Sequence, residues 1–305
     1  MSEIRYDGRV AVITGAGGGL GKTYAMMMGG RGASIVVNDL GGASDGTGAG
    51  SSMADQTVQE IVDAGGKAVA NYDSVATPEG GENIIKTAID AFGKVDIVVN
   101  NAGILRDKSF VKLPPEDLEI VLDVHLKGAF YVSQPAFRAM KEHGYGRLVF
   151  ASSGAGIFGN FGQSNYAAAK CGLVGLSNVL SVEGDKYNIK SNVIAPIART
   201  RMTEALLGPL AEALDPEFVT PLVAFLCSED CDFSHEVFDV GGGRYARIFT
   251  GLGGGWDAPA GDVPTPEDIR DNLDDIRSTE GFIVPTSIAE ETGAVMETIK
   301  KRTAA

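Results

Sequence analysis

The sequence predicts an α/β fold: a single doubly wound domain around a parallel seven-stranded sheet, followed by a helical C-terminal extension. Three observations predict it. Short β-branched runs alternate with longer helix-like segments, the order that a parallel sheet with crossover helices requires. The first run leads directly into a glycine-rich turn that opens a helix. With 305 residues and 44% hydrophobic content, the chain can bury the large core that such a sheet needs.

The expected strands are VAVIT (10–14), SIVVN (34–38), KAVAN (67–71), DIVVN (96–100), RLVFA (147–151), IKSNVI (189–194) and EVFDV (236–240). Helix-like stretches fall between most of them, so helices cover both faces and ligands are expected beyond the carboxyl ends of the strands. Residues 1–245 are assigned to this domain and 246–305 to the extension. In the extension, Thr265 and Pro266 read as an N-cap and first helical residue, and Ser287 with Glu290 as a capping box. It is expected to be a substrate-side flap or a dimer contact, with GLGGGW (251–256) as its hinge.

Composition narrows the partners. A formal net charge of −14 argues against nucleic acid and anionic membranes, where binding rests on neutralising phosphates. No window approaches 18 apolar residues, and the N-terminus MSEIRYDGRV lacks a signal-peptide pattern, so a cytoplasmic protein is expected. Cys171, Cys227 and Cys231 make neither a disulfide framework nor a metal-ligand spacing, and no metal is expected.

The turn TGAGGGLG matches TGxxxGxG through Thr14, Gly15, Gly19 and Gly21. Such glycines let the backbone approach a pyrophosphate, while the following helix presents its N-terminal amides to that anion. Gly15, Gly19, Leu20 and Gly21 are therefore cofactor-binding candidates. Asp39, at the end of the second strand, can accept hydrogen bonds from both hydroxyls of an adenosine ribose and would repel a 2′-phosphate, which selects NAD over NADP. Asp73 and Ser74 follow the third strand, at the rim where an adenine would lie; Asn100, Ala102 and Gly103 belong to the NNAG turn after the fourth. The segment GGASDGTGAGSS (41–52) reads as a mobile surface loop without an assigned role.

The chemistry is placed between Ser153 and Lys170. If AAAKCGL is helical, Tyr166 and Lys170 at i and i+4 share a face, and the ammonium would lower the phenol pKa so that the tyrosine can serve as acid or base. Ser153, at the end of RLVFASS, would hold a substrate oxygen while the tyrosine exchanges its proton. A tyrosine and a lysine at this spacing also occur on ordinary solvated helix faces. Ile157, Phe158 and Phe161 suit a bulky hydrophobic group or the core.

In order and spacing, TGAGGGLG, Asp39, NNAG, Ser153 and YAAAK resemble the short-chain dehydrogenase/reductase superfamily over roughly residues 8–245. VVNDLGG, VVNNAGILRD, VHLKG and GIFGNFGQSNYAAAK further resemble the (3R)-hydroxyacyl-CoA dehydrogenase units of the peroxisomal multifunctional enzymes. The resemblance implies a Rossmann fold, Tyr166 as acid/base, Lys170 on the nicotinamide ribose, Ser153 on the substrate oxygen and NAD as cofactor. It gives an accessory role to His125, which stands where many superfamily members have an asparagine that relays protons through water. Ile197, Ala198 and Thr200 lie where the superfamily holds the carboxamide end of the cofactor, although a Pro-Gly pair is absent there. A homodimer or homotetramer is expected.

The substrate implied is a (3R)-hydroxyacyl-CoA, with a 17β-hydroxysteroid or steroid-derived acyl-CoA as the alternative. Arg106, Lys108, Arg199 and Arg201 would rim the mouth and collect coenzyme A phosphates, or are ordinary surface cations. A third reading is a module that senses NAD without turnover; intact Ser153, Tyr166 and Lys170 speak for the enzyme.

Overall fold

The computed structural model describes residues 3–200, 203, 208–261 and 263–304. Each β-branched run forms a strand: β1 (Val10–Thr14), β2 (Ser34–Asn38), β3 (Lys67–Asn71), β4 (Ile97–Asn100), β5 (Gly146–Ala151), β6 (Ile189–Pro196) and β7 (Val237–Gly241). Neighbours pair in parallel, Val12 standing beside Val36 of β2 and Val98 of β4. Every residue of β1, β4 and β5 is buried. That is why these strands read as continuous apolar runs rather than as alternating ones.

The crossovers are α1 (Gly19–Gly30), α2 (Ser52–Asp63), α3 (Pro78–Phe92), then α4 (Pro115–Leu122) running through a π-turn (Asp123–Lys127) into α5 (Gly128–His143). After β5 come a short α6 (Gly154–Phe158), the long α7 (Ser164–Gly184) and, beyond β6, α8 (Thr220–Leu226). Local signals set the ends of α3: Thr77 accepts from the Gly80 amide at 3.1 Å, Pro78 opens the helix, and Gly93 closes it at φ 83°.

The sheet order is β3-β2-β1-β4-β5-β6-β7-β8. Chain progress across the sheet therefore reverses between β1 and β4, and right-handed crossovers then put α1 and α2 on one face and α3, α5 and α7 on the other. Met28 of α1, Ile61 of α2 and Val223 of α8 accordingly join Ile13, Val37 and Val99 of the strands in one buried cluster. A crevice opens where the order reverses, at the carboxyl ends of β1 and β4.

Among the described residues the sheet has eight strands where seven were expected. β8 (Arg244–Ile248) returns beside β7 after a two-residue link, Gly242 and Gly243, both at positive φ. Its sequence RYARI carries two arginines, which pair with β7-side carboxylates (Arg244 with Asp239, Arg247 with Glu236 at 3.3 Å), so it reads as a polar edge and not as an apolar run.

The chain divides into two compact units, Met1–Arg247 and Ile248–Ala305. Within the second, Leu252 bridges to Ile283, and the rings of Phe249 and Phe282 stack at 5.7 Å. Its helices are α9 (Pro266–Asp271), α10 (Leu273–Arg277) and α11 (Ile288–Ala304). Thr265 caps α9 in a full capping box with Asp268. Before α11 the Glu290 carboxylate accepts from Thr286, at its amide (3.1 Å) and hydroxyl (2.9 Å), one residue ahead of the box expected at Ser287.

Candidate active site

The crevice is a pocket of about 310 Å³ walled by the turn after β1, the ends of β2, β4, β5 and β6, and the start of α7. Gly15 (φ 66°) and Gly19 (φ 52°) adopt the left-handed backbone that L side chains rarely tolerate. At Gly15 a Cβ would lie 2.9 Å from the Ala102 backbone; at Gly19 it would make ordinary contact with the Thr200 methyl at 3.7 Å. Gly18 is the N-cap of α1 and offers no side-chain cap, and the first turn holds no acidic residue, so the helix amides and positive dipole end stay available to an anion. At the far wall, the Asp39 carboxylate accepts from the Gly17 amide (2.8 Å) and the Gly41 amide (2.7 Å). A carboxylate oxygen has a second lone pair, so both can still accept from a ribose. An anion cradle with a carboxylate beyond it fits the pyrophosphate and adenosine ribose of a dinucleotide.

At the other end lie the side chains capable of chemistry. Tyr166 and Lys170 are one turn apart on α7, and the Lys170 ammonium stands 5.5 Å from the centre of the tyrosine ring. Lys170 is buried, and its Nζ donates to the Ala151 carbonyl at the end of β5. Burial pulls its pKa from 10.5 down to about 7. Ser153 is the N-cap of α6, its Oγ accepting from the Ala155 amide at 3.2 Å. The same hydroxyl lies near enough to the Tyr166 phenol to draw its pKa down. His125 sits in the π-turn, which delivers its buried ring edge-on to Tyr166 with centroids 5.1 Å apart. Its Nε2 lies 2.8 Å from the Ile104 carbonyl. A Cβ at Gly103 would come within 2.3 Å of the ring, so the glycine makes room for it. Burial, and then Lys170, hold the His125 pKa well below its usual value, so it is neutral at physiological pH.

One electrostatic expectation is corrected. Burial pushes the Tyr166 pKa up, the Ser153 hydroxyl opposes this and Asp107 adds to it. Lys170 does not offset the burial, because an ammonium titrating near 7 is only partly charged at neutral pH.

Gly15, Gly19, Leu20, Asp39, Asp73, Ser74, Ala102, Gly103, His125, Tyr166, Lys170, Ala198 and Thr200 all line the pocket. Four others expected there do not. Gly21 lies beneath the turn, packed so that a Cβ would meet the Gly15 carbonyl at 2.3 Å. Asn100, still in β4, turns to the α5 side and donates to Ser133 at 3.0 Å; Asn101, one residue on, faces the pocket and ties down the Thr14 and Gly15 carbonyls. Ile197 is 45% exposed and joins β7 through its amide, which donates to Val240. Ser153 reaches the site through Tyr166. Ser152 and Thr203 line the pocket without having been foreseen, and part of the 41–52 segment borders it. The second asparagine of NNAG was the available signal for Asn101.

Phe158 and Phe161 are 74% and 89% exposed, which removes the core reading for them. Among the rim cations, Arg106 donates to the Asp45 carbonyl at 2.7 Å, Lys108 is exposed and Arg199 is partly exposed; Arg201 lies outside the described residues. Cys227 and Cys231 are buried, and no cluster of metal-ligating side chains occurs among the described residues.

The family profile described as short chain dehydrogenase matches residues 9–208. A short-chain type dehydrogenase/reductase of Mycobacterium tuberculosis is 55% identical, with 90% of this chain covering 95% of that protein. The hydroxyacyl-CoA dehydrogenase ChsB1 of the same organism is 36% identical over 82% of this chain and 85% of its own length. Among solved structures, the full-length peroxisomal multifunctional enzyme type 2 of Drosophila melanogaster aligns with a TM-score of 0.82 and 39% identity; this chain is covered to 98% and spans half of that one. A 7α-hydroxysteroid dehydrogenase complexed with NADH and 7-oxo glycochenodeoxycholic acid aligns with a TM-score of 0.71 and 30% identity, over 78% of this chain and 95% of that one.

Proposed function

We propose, from the premise that this chain belongs to the short-chain dehydrogenase family, that it is an NAD-dependent dehydrogenase oxidising the 3-hydroxyl of a (3R)-hydroxyacyl-CoA. The observation that carries the reading is the convergence of Tyr166, Ser153 and Lys170 at one end of a pocket whose other end holds Asp39. The sensing-module reading fails on the same grounds, since a sensor has no need of a phenol, a hydroxyl and an ammonium assembled around one point.

When bound, nicotinamide supplies the hydride acceptor. The protein's part is proton handling and position. Ser153 holds the substrate oxygen, and Tyr166 takes its proton during oxidation or returns it during reduction. The charged form of Lys170 favours the phenolate and reaches the nicotinamide ribose. His125, neutral and edge-on to the Tyr166 ring, fixes its orientation. Asp39 selects NAD by its hydrogen bonds to the ribose and its repulsion of a 2′-phosphate. A related structure holding NADH and the name of the relative ChsB1 support cofactor and substrate respectively.

The exposed rings of Phe158 and Phe161, with a steroid dehydrogenase among the structural relatives, favour a second substrate reading, a 17β-hydroxysteroid or steroid-derived acyl-CoA. One screen separates them: NADH formation with (3R)- and (3S)-hydroxyacyl-CoAs and 17β-hydroxysteroids. Turnover of the (3R) thioesters supports the first reading; turnover of free steroids alone refutes it. The same proposal includes a homodimer or homotetramer, since α5 and α7 leave Phe130, Val179 and Val182 about half exposed, and assigns the extension to a flap or dimer contact. Light scattering of the intact protein checks the assembly.

A further inference from the structure

We propose that Arg106 is a positioning residue, a latch that holds the 41–50 segment closed over the adenosine side of the pocket and so sets how long the nucleotide stays bound. This rests on the reading of the pocket as an NAD site. The segment is glycine-rich, yet it is folded. Its base is closed where the Gly41 amide donates to Asp39 Oδ1 at 2.7 Å and the Gly50 amide to the Leu40 carbonyl at 2.9 Å. Its interior is closed where Ala43 donates to the Thr47 carbonyl at 2.8 Å, and where the Thr47 amide (2.9 Å) and hydroxyl (2.7 Å) both donate to Asp45. Gly42, Ala43, Ser44 and Gly46 thereby form a wall of the pocket on the same side as Asp39.

The tip of this wall is fastened to the opposite lip. The Leu105 amide donates to the Ser44 carbonyl at 3.0 Å, and Arg106 Nε donates to the Asp45 carbonyl at 2.7 Å. Gly46 packs so closely on Ile104 that a Cβ there would lie 3.1 Å from its methyl. Arg106 is itself aimed from two sides. Its guanidinium lies 3.7 Å from Asp117 of α4, and its carbonyl accepts from Asn165, the residue before Tyr166, at 3.0 Å. The latch therefore joins the segment anchored on Asp39 to the helix that carries the tyrosine. A nucleotide whose ribose Asp39 holds lies behind this wall and cannot leave by that side while the tip is fastened.

The test is stopped-flow NADH release together with steady-state constants for wild type, Arg106→Met and Arg106→Lys. Methionine keeps the apolar stem and loses the donor. The expected result is about a tenfold faster NADH release and a matching rise in KM for NAD, roughly what one charge-assisted hydrogen bond sustains. Lysine, which retains a donor, restores part of it. The KM for the acyl-CoA stays within about twofold. Thr47→Val, which loosens the 41–50 segment from inside, moves NADH release in the same direction and stands in should Arg106→Met fail to fold. Unchanged NADH release in folded Arg106→Met overturns the latch, whether the acyl-CoA KM rises, as it would for a phosphate-collecting cation, or only the melting temperature falls. A wild type that binds no NADH overturns the cofactor reading itself.

Discussion

Replacing Lys170 with methionine exchanges a buried ammonium for apolar volume, and the size of the effect follows from where the lysine sits. The groups that face it are Tyr166, His125, held neutral, and the Ala151 carbonyl; among the described residues no carboxylate compensates its charge. A lysine in the unfolded chain keeps its proton up to about pH 10.5, whereas burial lowers that value to about 7 in the folded protein. Between those values the unfolded state binds more protons, so this group makes stability rise with pH. Below pH 7 the cost of the buried charge is fully present, about 5 kcal/mol at about 1.4 kcal/mol per pH unit; it vanishes as pH approaches 10.5. Wild type should therefore gain about 2 kcal/mol on Lys170→Met between pH 7 and pH 9. Urea unfolding of the cofactor-free proteins at pH 7, 8 and 9 measures this directly. A stability difference that is the same at all three pH values would refute the reasoning.

Two further predictions concern the nucleotide end. Asp39→Ala should weaken NAD relative to NADP by about tenfold or more in KM, as a charged hydrogen-bond acceptor and a repulsive charge are both lost; an unaltered preference in paired assays with the two cofactors would remove the ribose assignment. Asn100→Ala should lower stability by about 1 to 2 kcal/mol through the stranded Ser133 hydroxyl, with NADH affinity unchanged. A large loss of affinity by fluorescence titration would instead return Asn100 to the cofactor site.

Much of this architecture was legible because burial on both faces imprints itself on the strands. VAVI and LVFA are unbroken apolar runs, since every residue of β1 and β5 is buried. Tyr166 and Lys170 were legible for a different reason, that four residues make one helical turn. What escaped depends on tertiary placement. That Lys170 is buried deeply enough to lose much of its charge, and so cannot offset the burial of Tyr166, is a property of the packed site and not of a spacing. The alternation at the end of β4 decides whether Asn100 or Asn101 faces the pocket, and a one-residue ambiguity exchanges them. Arg106 meets its partner Asp45 across 61 positions of chain, so a segment that looked mobile from its glycines is held by a residue remote in sequence. β8 escaped because an edge strand with exposed arginines lacks the apolar signature of its neighbours.

The central claim is that the Tyr166 hydroxyl moves the proton in an NAD-linked oxidation, and Tyr166→Phe isolates that atom, leaving the ring that packs on His125 and Lys170. The measurement is NADH formation from a (3R)-hydroxyacyl-CoA by wild type and variant, alongside NADH binding to each. The account predicts a fall in kcat of about a thousandfold or more with NADH affinity within about twofold. Turnover by the variant within tenfold of a wild type that itself uses this substrate would contradict it.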